Sequence, residues 1–318
     1  MNIRKNRLKI VLGGIAVCMC MACGGSDTKD YWGDTSNGGK EEPTENPNAS
    51  KPRYIWIDAA ANFPDFANSK ENIARDLALA KDAGFTDIVV DVRPTTGDVL
   101  FKTNIVDQVK FMYAWIGSNY TKVERTATWD YLQAFVDEAR KQGLRIHAAI
   151  NTFVGGNQID GGTGLLYRDQ SKAEWATQMN MQTGIVSVMN TSESTKFFNP
   201  AHPEVQTFLC DLLKDLASYD LDGIFLDRGR FLNLQTDFSE ESRKQFEEYM
   251  GGIRIQNYPD DILLPGASSL PATYPKYLTK WLEFRAKVIY DFMQKARTAV
   301  KGVKPDIKFG VYVGGWYS

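Results

Sequence analysis

The amino-acid sequence predicts an α/β protein whose parallel strands form a TIM, or (β/α)8, barrel, with roughly the first five strands present in its 318 residues. Three observations lead to this prediction. Apolar, strand-like runs alternate with amphipathic helical stretches, polar residues stand where the strands end, and connections after strands are longer than those after helices. This asymmetry is typical of a barrel whose site is built from the loops that follow the strands. A doubly wound sheet is the alternative, but no glycine-rich turn follows the first strand.

Five segments have the composition of strands. The fourth, Ile224 to Leu226, is apolar on both faces, as expected for a strand buried within a parallel sheet. The predicted strands are 54–58, 87–93, 144–151, 224–226 and 307–313. A closed barrel has eight strands, so we expect this chain to be the first part of a longer protein.

Helices are predicted between these strands. Ser69 is a typical N-cap, Gly84 a typical helix end, and Pro203 suits a first helical turn. The predicted helices are 69–84, 129–142, one that begins near Pro203, one that begins at Ser239, and one from about 275 to 300. Residues 95–128 and several dozen residues after the third strand are predicted as long loops.

The first 52 residues have the composition of an export signal and a tether. A basic start precedes an apolar stretch, residues 10–22, that is too short for a membrane span. Ala22-Cys23-Gly24 then resembles a bacterial lipoprotein processing site. Residues 1–23 are therefore predicted as a lipoprotein signal peptide, with Cys23 as the lipidated residue that anchors the chain to a membrane; plain secretion is the alternative. Residues 24–52 are predicted as a flexible linker and residues 53–318 as the barrel.

The composition excludes several classes of function. The 37 Lys and Arg residues nearly balance 39 Asp and Glu residues, and no dense basic patch occurs, so we expect no nucleic-acid partner. The glycines between residues 155 and 164 lack a phosphate-loop pattern, and no His, Cys and Glu set has zinc spacing. The sequence therefore predicts neither a cofactor nor a metal.

The leading candidate for chemistry is Asp227, which directly follows the apolar run of the fourth strand. In α/β folds, ligands bind where parallel strands end, so a carboxylate at this point can face a substrate. A structural ion pair with Arg228 or Arg230 is an equally good interpretation, because such pairs resemble active sites.

Polar residues on two other strands share a face. Asp91 and Arg93 are two residues apart, and His147 and Asn151 are four apart, so each pair points to one side of its strand. Both pairs are candidates for contact with a substrate at the top of the barrel. The alternatives are a buried Asp91–Arg93 ion pair that closes the barrel floor and a core position for His147.

Several of these segments, taken in order, resemble one protein family. The segments are 85–94 followed by Gly97-Asp98, His147-Ala148 with Asn151, 198–205, and 220–227. They resemble the family-10-like glycosyl hydrolases, the "alpha amylase family" lipoproteins of gut Bacteroidetes and their bacterial relatives, over most of residues 53–318. The resemblance implies a TIM barrel, action on polysaccharides or oligosaccharides, and a location at the outer membrane of the bacterial cell envelope.

The stretch that ends at Asp227 is also similar to the fourth strand of the alpha-amylase clan, Asp-Gly-Phe-Arg-Leu-Asp. The last Asp of that strand is the nucleophile, which implies that Asp227 acts as nucleophile or base. Phe225 stands where the amylase strand has Arg. Arg228 and Arg230 are the positive charges that could replace it.

Glycoside hydrolysis uses two carboxyl groups, one as proton donor and one as nucleophile or base. We expect the second carboxylate beyond Ser318, with Asp58 and Asp91 as substitutes within the chain. The candidate substrate-binding residues are Asp91, Arg93, His147, Asn151, Arg228, Arg230, Tyr312 and Trp316, the last two by stacking on sugar rings. A non-catalytic glycan-binding lipoprotein is the alternative function, and a purely structural envelope protein is a weaker one.

Overall fold

The computed structural model of the chain describes residues 51–313. The predicted signal peptide with Cys23, nearly all of the predicted linker, and Trp316 lie outside the described residues. The strands are β1 Tyr54–Ile57, β2 Asp87–Arg93, β3 Phe111–Ile116, β4 Asn119–Glu124, β5 Arg145–Asn151, β6 Val154–Asn157, β7 Gln178–Met181, β8 Gly184–Ser187, β9 Thr195–Phe197, β10 Gly223–Asp227 and β11 Lys308–Val311. The α-helices are α1 Phe63–Phe66, α2 Lys70–Asp82, α3 Tyr131–Lys141, α4 Leu165–Arg168, α5 Pro203–Ala217, α6 Glu240–Tyr249 and α7 Leu278–Val303.

Five of these strands form one sheet with the order β1-β2-β5-β10-β11, and all four pairings are parallel. The predicted α/β class with a parallel sheet is confirmed. One face of the sheet packs in a single core with the apolar sides of α2, α3, α5 and α7. The sheet residues that this face buries include Ile88, Val90, Ile146, Ala148, Ile224 and Leu226.

The helix ends follow the capping signals in the sequence. Ser69 Oγ accepts a hydrogen bond of 3.1 Å from the backbone N–H of Asn72, which satisfies one of the free donors at the start of α2. Pro203 is the first residue of α5, where its missing N–H is not needed. The longest helix begins a few residues later than the sequence predicts, because it starts at Leu278 after a turn in which the Leu278 N–H bonds the Pro275 carbonyl.

The two long segments after β2 and β5 are not irregular throughout, and the prediction of plain loops there was wrong. Residues 111–116 and 119–124 pair as an antiparallel hairpin, β7 pairs with β8, and β6 pairs with β9. Gly117 begins the turn of the first hairpin with a φ of 65°, a conformation that glycine adopts without steric cost. Two strand-like runs separated by Gly-Ser are a hairpin signal that was available in the sequence.

Among residues 51–313, no helix is both long enough and apolar enough to cross a membrane.

Candidate active site

The second face of the parallel sheet carries the candidate site. Side chains alternate along a strand, so residues two apart in β1, β5 and β10 share this face. Its inner rows are aromatic: the ring of Phe225 lies 6.1 Å from that of Tyr54, 6.3 Å from that of Trp56 and 5.6 Å from that of His147. Its upper row, where the strands end, is polar and includes Asp227 opposite Asn151.

A cavity of about 330 Å³ opens at this upper row. Three carboxylates line it, from the ends of three strands: Asp58 after β1, Asp91 in β2 and Asp227 at the end of β10. The other lining residues are Trp56, Ala60, Pro94, Thr95, Ala149, Ile150, Asn151, Arg228 and Tyr312. The cavity therefore brings together five of the predicted site residues, namely Asp91, Asn151, Asp227, Arg228 and Tyr312.

Asp91 is the most buried of the three acids. It accepts hydrogen bonds from the backbone N–H of Arg93 at 3.1 Å and from the amide of Asn151 at 3.5 Å. Burial raises the pKa of Asp91, and the nearby Asp58 and Asp227 raise it further, to about 7. The Asp91 carboxyl group can therefore hold a proton at neutral pH.

The side chain of Asp58 stabilises the turn that follows β1. Its carboxylate accepts hydrogen bonds from the backbone N–H groups of Ala60 and Ala61, at 2.8 Å and 2.7 Å. Such bonds between an Asp side chain and the following backbone stabilise a turn. Asp58 nevertheless lines the cavity and adds negative charge beside Asp91.

Asp227 is held by the turn that follows β10. Arg228 has a φ of 48°, in the left-handed region that non-glycine residues seldom adopt. In this conformation the Arg228 N–H lies 2.6 Å from the carboxylate of Asp227. The side chain of Arg230 donates instead to the backbone carbonyls of Phe231 and Leu232, at 3.1 Å and 2.6 Å.

Arg93 does not line the cavity, although the sequence groups it with Asp91. The β2–β5 pairing shifts between these residues, so that Asp91 lies opposite Ala149 and Arg93 opposite Ile150. This bulge ends the alternation on which the sequence prediction relied. The buried guanidinium of Arg93 donates to the carbonyls of Asn151, Thr152 and Val154, and burial lowers its pKa to about 10. Arg93 thus fixes the backbone that follows β5.

His147 lies near the opposite end of β5 from the cavity. It is four residues before Asn151, and its Nε2 is 2.8 Å from the carboxylate of Asp87 at the start of β2. Both side chains are fully buried, and burial lowers the pKa of His147. This arrangement is the core position that the sequence left open as an alternative.

The cavity has an aromatic wall that the sequence analysis found only in part. Tyr312 was a candidate, and its ring lies 5.5 Å from that of Trp56, which was not. Trp56 is two residues before Asp58, so strand alternation from that acid would have identified it. Trp56 and Tyr312 both line the cavity, and within residues 51–313 they are 38% and 58% exposed.

In the part of the chain that the structure describes, no group of three or more His, Cys, Asp and Glu side chains has the arrangement of a metal site. The cavity is thus a cluster of acids beside aromatic rings. A carboxyl group whose pKa is raised, such as that of Asp91, can give a proton to a molecule bound in the same cavity.

Comparison with known proteins identifies the class to which this fold and cavity belong. Residues 51–317 match the family model described as Glycosyl hydrolase-like 10, and the chain belongs to that family. The predicted likeness to glycosyl hydrolases is confirmed at this level.

Individual relatives extend beyond the present chain. The S-layer-related protein of Niallia circulans is 31% identical over 275 residues, which cover 83% of this chain and 16% of that protein. Glycosyl hydrolase DigH of Escherichia coli strain K12 is 22% identical over an alignment of 338 residues, which covers 98% of this chain and 66% of DigH. The chain therefore spans only part of the length of these curated relatives.

The fold is shared with a solved glycosidase structure over most of the chain. Alpha-L-fucosidase isoenzyme 2 from Paenibacillus thiaminolyticus superposes with a TM-score of 0.51 and 16% sequence identity, over 83% of this chain and 33% of that one. At this identity the likeness concerns the fold alone.

Proposed function

We propose that the protein is a glycoside hydrolase that acts on polysaccharides or oligosaccharides. The observation that carries this proposal is the cavity in which Asp58, Asp91 and Asp227 lie beside the exposed rings of Trp56 and Tyr312. Paired carboxyl groups cleave glycosidic bonds, and aromatic rings bury the apolar C–H surface of a sugar. Membership of the Glycosyl hydrolase-like 10 family supports the same chemistry.

We assign the two catalytic roles to Asp91 and Asp227. Asp91 donates its proton to the leaving glycosidic oxygen, which suits a buried carboxyl group whose pKa is raised to about 7. Asp227 either bonds to the anomeric carbon or takes a proton from the attacking water. If a covalent intermediate forms, the Asp91 carboxylate then accepts the proton of the water that displaces Asp227, which restores both groups.

We further propose that the five parallel strands belong to a (β/α)8 barrel. Two features support this: the aromatic inner face of the sheet is opposite its helices, and the acids lie where the strands end. Lipid anchoring at Cys23 and a location at the cell envelope remain proposals that rest on the sequence alone. Radiolabelled palmitate incorporation into the full chain, compared with a Cys23→Ala variant, tests the anchor.

The hydrolase proposal is tested by release of reducing sugar from a polysaccharide panel. The wild-type chain, Asp227→Asn, Asp91→Asn and the control Asp306→Asn are assayed together; Asp306 is exposed in the turn between α7 and β11, away from the cavity. We expect both cavity variants to lose activity by about 10²-fold or more and the control to keep it. Full activity of Asp227→Asn would refute its assignment.

The second candidate function is glycan binding without catalysis. The observation that favours it is Phe225, which stands where the similar amylase strand has Arg and whose ring packs against Tyr54 and Trp56 instead. Glycan binding with no sugar release by the wild-type chain would favour this function over hydrolysis.

A further inference from the structure

A second cavity adjoins the one that holds the carboxylates. Its volume is about 320 Å³, and it shares the lining residues Ala60 and Thr95 with the first cavity. Its other lining residues are Thr96, Phe111, Met112, Tyr113, Tyr120, Asn157, Gln158, Ile159 and Ser194. The two cavities therefore lie side by side along the same edge of the parallel sheet.

One wall of this second cavity is the aromatic face of the β3–β4 hairpin. Met112 and Ala114 are buried and anchor the hairpin to the protein. The alternate residues point away from that anchor: the ring of Tyr120 lies 5.4 Å from that of Tyr113 and 5.3 Å from that of Trp115. Tyr120 is 55% exposed, and Trp115 is 68% exposed. Tyr113 and Tyr120 line the cavity, and exposed aromatic surface of this kind is suited to binding a ligand.

The facing wall is polar and is tied to the hairpin. It contains Asn157, Gln158 and Ser194 from the segment that follows β5. Lys122 on the hairpin forms an ion pair of 2.6 Å with Asp160, which directly follows the lining residue Ile159. The hydroxyl of Tyr113 lies 3.3 Å from the same carboxylate. These contacts join the two walls at one end, so the cavity is a defined cleft rather than a gap between independent loops.

The polar groups that line the cleft include Thr96, Asn157 and Gln158. Amide and hydroxyl groups of this kind are suited to hydrogen bonds with sugar hydroxyls. The cleft thus combines a stacking surface with amide and hydroxyl groups, while Lys122 and Asp160 neutralise each other. This chemistry suits a neutral sugar better than an anion.

We propose that the cleft between the β3–β4 hairpin and residues 157–159 is a sugar-binding subsite, occupied by a neutral monosaccharide unit of a chain whose next units reach the carboxylate cavity. The inference rests on the proposed glycoside hydrolase function and extends it. An oligosaccharide or polysaccharide of at least two units then contacts both cavities at once. A free monosaccharide can contact only one of them and should bind more weakly.

The test is calorimetric titration of the complete chain in the Asp227→Asn background, where bound sugars are not cleaved. The probes are cello-, malto- and N-acetylchito-oligosaccharides together with their monosaccharides. We expect affinity to rise with chain length in at least one series. Tyr120→Ala should weaken binding of the longer member about tenfold, which corresponds to loss of one stacking contact of about 1.4 kcal/mol, and Tyr120→Phe should retain it. Tyr274→Ala, at another exposed tyrosine, is the matched control and should bind normally.

Three outcomes would overturn the subsite: unchanged oligosaccharide affinity in Tyr120→Ala, equal affinity for monosaccharide and oligosaccharide, or no binding by any probe. The failure of the hydrolase proposal is distinct from these. Binding that depends on Tyr120 without sugar release by the wild-type chain would refute hydrolysis and keep the subsite. Sugar release with the same KM in wild type and Tyr120→Ala would keep the hydrolase proposal and refute the subsite.

Discussion

Asp227 and Asn151 lie opposite each other in register, as the last residues of the adjacent parallel strands β10 and β5. The amide of Asn151 also donates to the Arg93 carbonyl at 2.9 Å and reaches the carboxylate of Asp91 at 3.5 Å. One side chain therefore links the ends of β2 and β5 directly beside Asp227. The positions of the two proposed catalytic acids are set by the sheet, not by a mobile loop, which favours accurate placement.

The raised pKa of Asp91 predicts how activity depends on pH. Because Asp91 must carry a proton to act as the acid, kcat/KM should fall as the pH rises through about 7, the pKa that burial and the neighbouring carboxylates produce. The measurement is a pH–rate profile with the best polysaccharide of the release screen. Asp91→Asn should remove this alkaline limb, whereas Asp306→Asn should keep it. An alkaline limb with the same midpoint in Asp91→Asn would assign it to another group.

The contacts of Arg93 predict a large effect on stability. Arg93→Met should lower the free energy of unfolding by about 3 kcal/mol or more, because several buried carbonyls lose their donor. Urea unfolding of residues 51–318 measures this change. Arg75→Met is the matched control, since Arg75 is exposed and its guanidinium contacts only the nearby side chains of Asp76 and Asn72 on the same helix. This variant should change stability by no more than about 0.5 kcal/mol. A loss as small as that of the control would mean that the guanidinium is not needed for folding.

Two substitutions at Arg228 can distinguish the effect of its left-handed backbone conformation from the effect of losing its side chain. Arg228→Gly and Arg228→Ala both remove the guanidinium of a residue that lines the cavity, but only glycine adopts a φ of 48° without strain. The glycine variant should therefore be more stable than the alanine variant by about 1 kcal/mol. Thermal unfolding of the two variants gives the comparison. If the guanidinium contacts the substrate, both variants should raise KM to the same extent. Equal stability of the two variants would argue against a left-handed conformation at residue 228.

The position of His147 predicts a role in stability rather than in substrate binding. The folded state lowers the pKa of His147, mainly by burial, so below about pH 6.5 the unfolded chain binds more protons than the folded one. Stability should therefore decrease as the pH falls through this range. His147→Gln should be less stable at neutral pH and should lose this pH dependence, as measured by urea unfolding at several pH values. A higher KM with unchanged stability would instead indicate contact with substrate.

The sequence predicted the five strands of the parallel sheet and the long helices because their signals are local. Strand runs, the Ser69 cap and the start of α5 at Pro203 depend only on neighbours along the chain. The three antiparallel pairs in the long segments after β2 and β5 were missed, although the Gly-Ser turn of the hairpin of residues 111–124 is also a local signal. The boundaries of α7 depended on a turn closed by Pro275, which sequence spacing does not encode.

The sequence could predict site residues wherever side chains alternate regularly between the two faces of a strand. Alternation and strand ends led to Asp91, Asn151 and Asp227, all of which line the cavity. The same argument misplaced Arg93, because a bulge in the β2–β5 pairing changes its direction. The prediction that His147 lies at the top of the barrel was wrong for another reason: it used the shared face alone, although His147 is four residues before the end of β5 and therefore well below Asn151.

The sequence by itself determined that this protein is an α/β protein with acids at the ends of parallel strands, because periodicity and residue type are properties of the chain alone. Only the tertiary structure decided which of those acids share a cavity, and it is burial in that structure that raises the pKa of Asp91. Burial, and the approach of Asp58 and Asp227 to Asp91, arise between segments that are distant in sequence. The adjoining cleft likewise exists only in the tertiary structure, because its two walls are formed by the separate segments that follow β2 and β5.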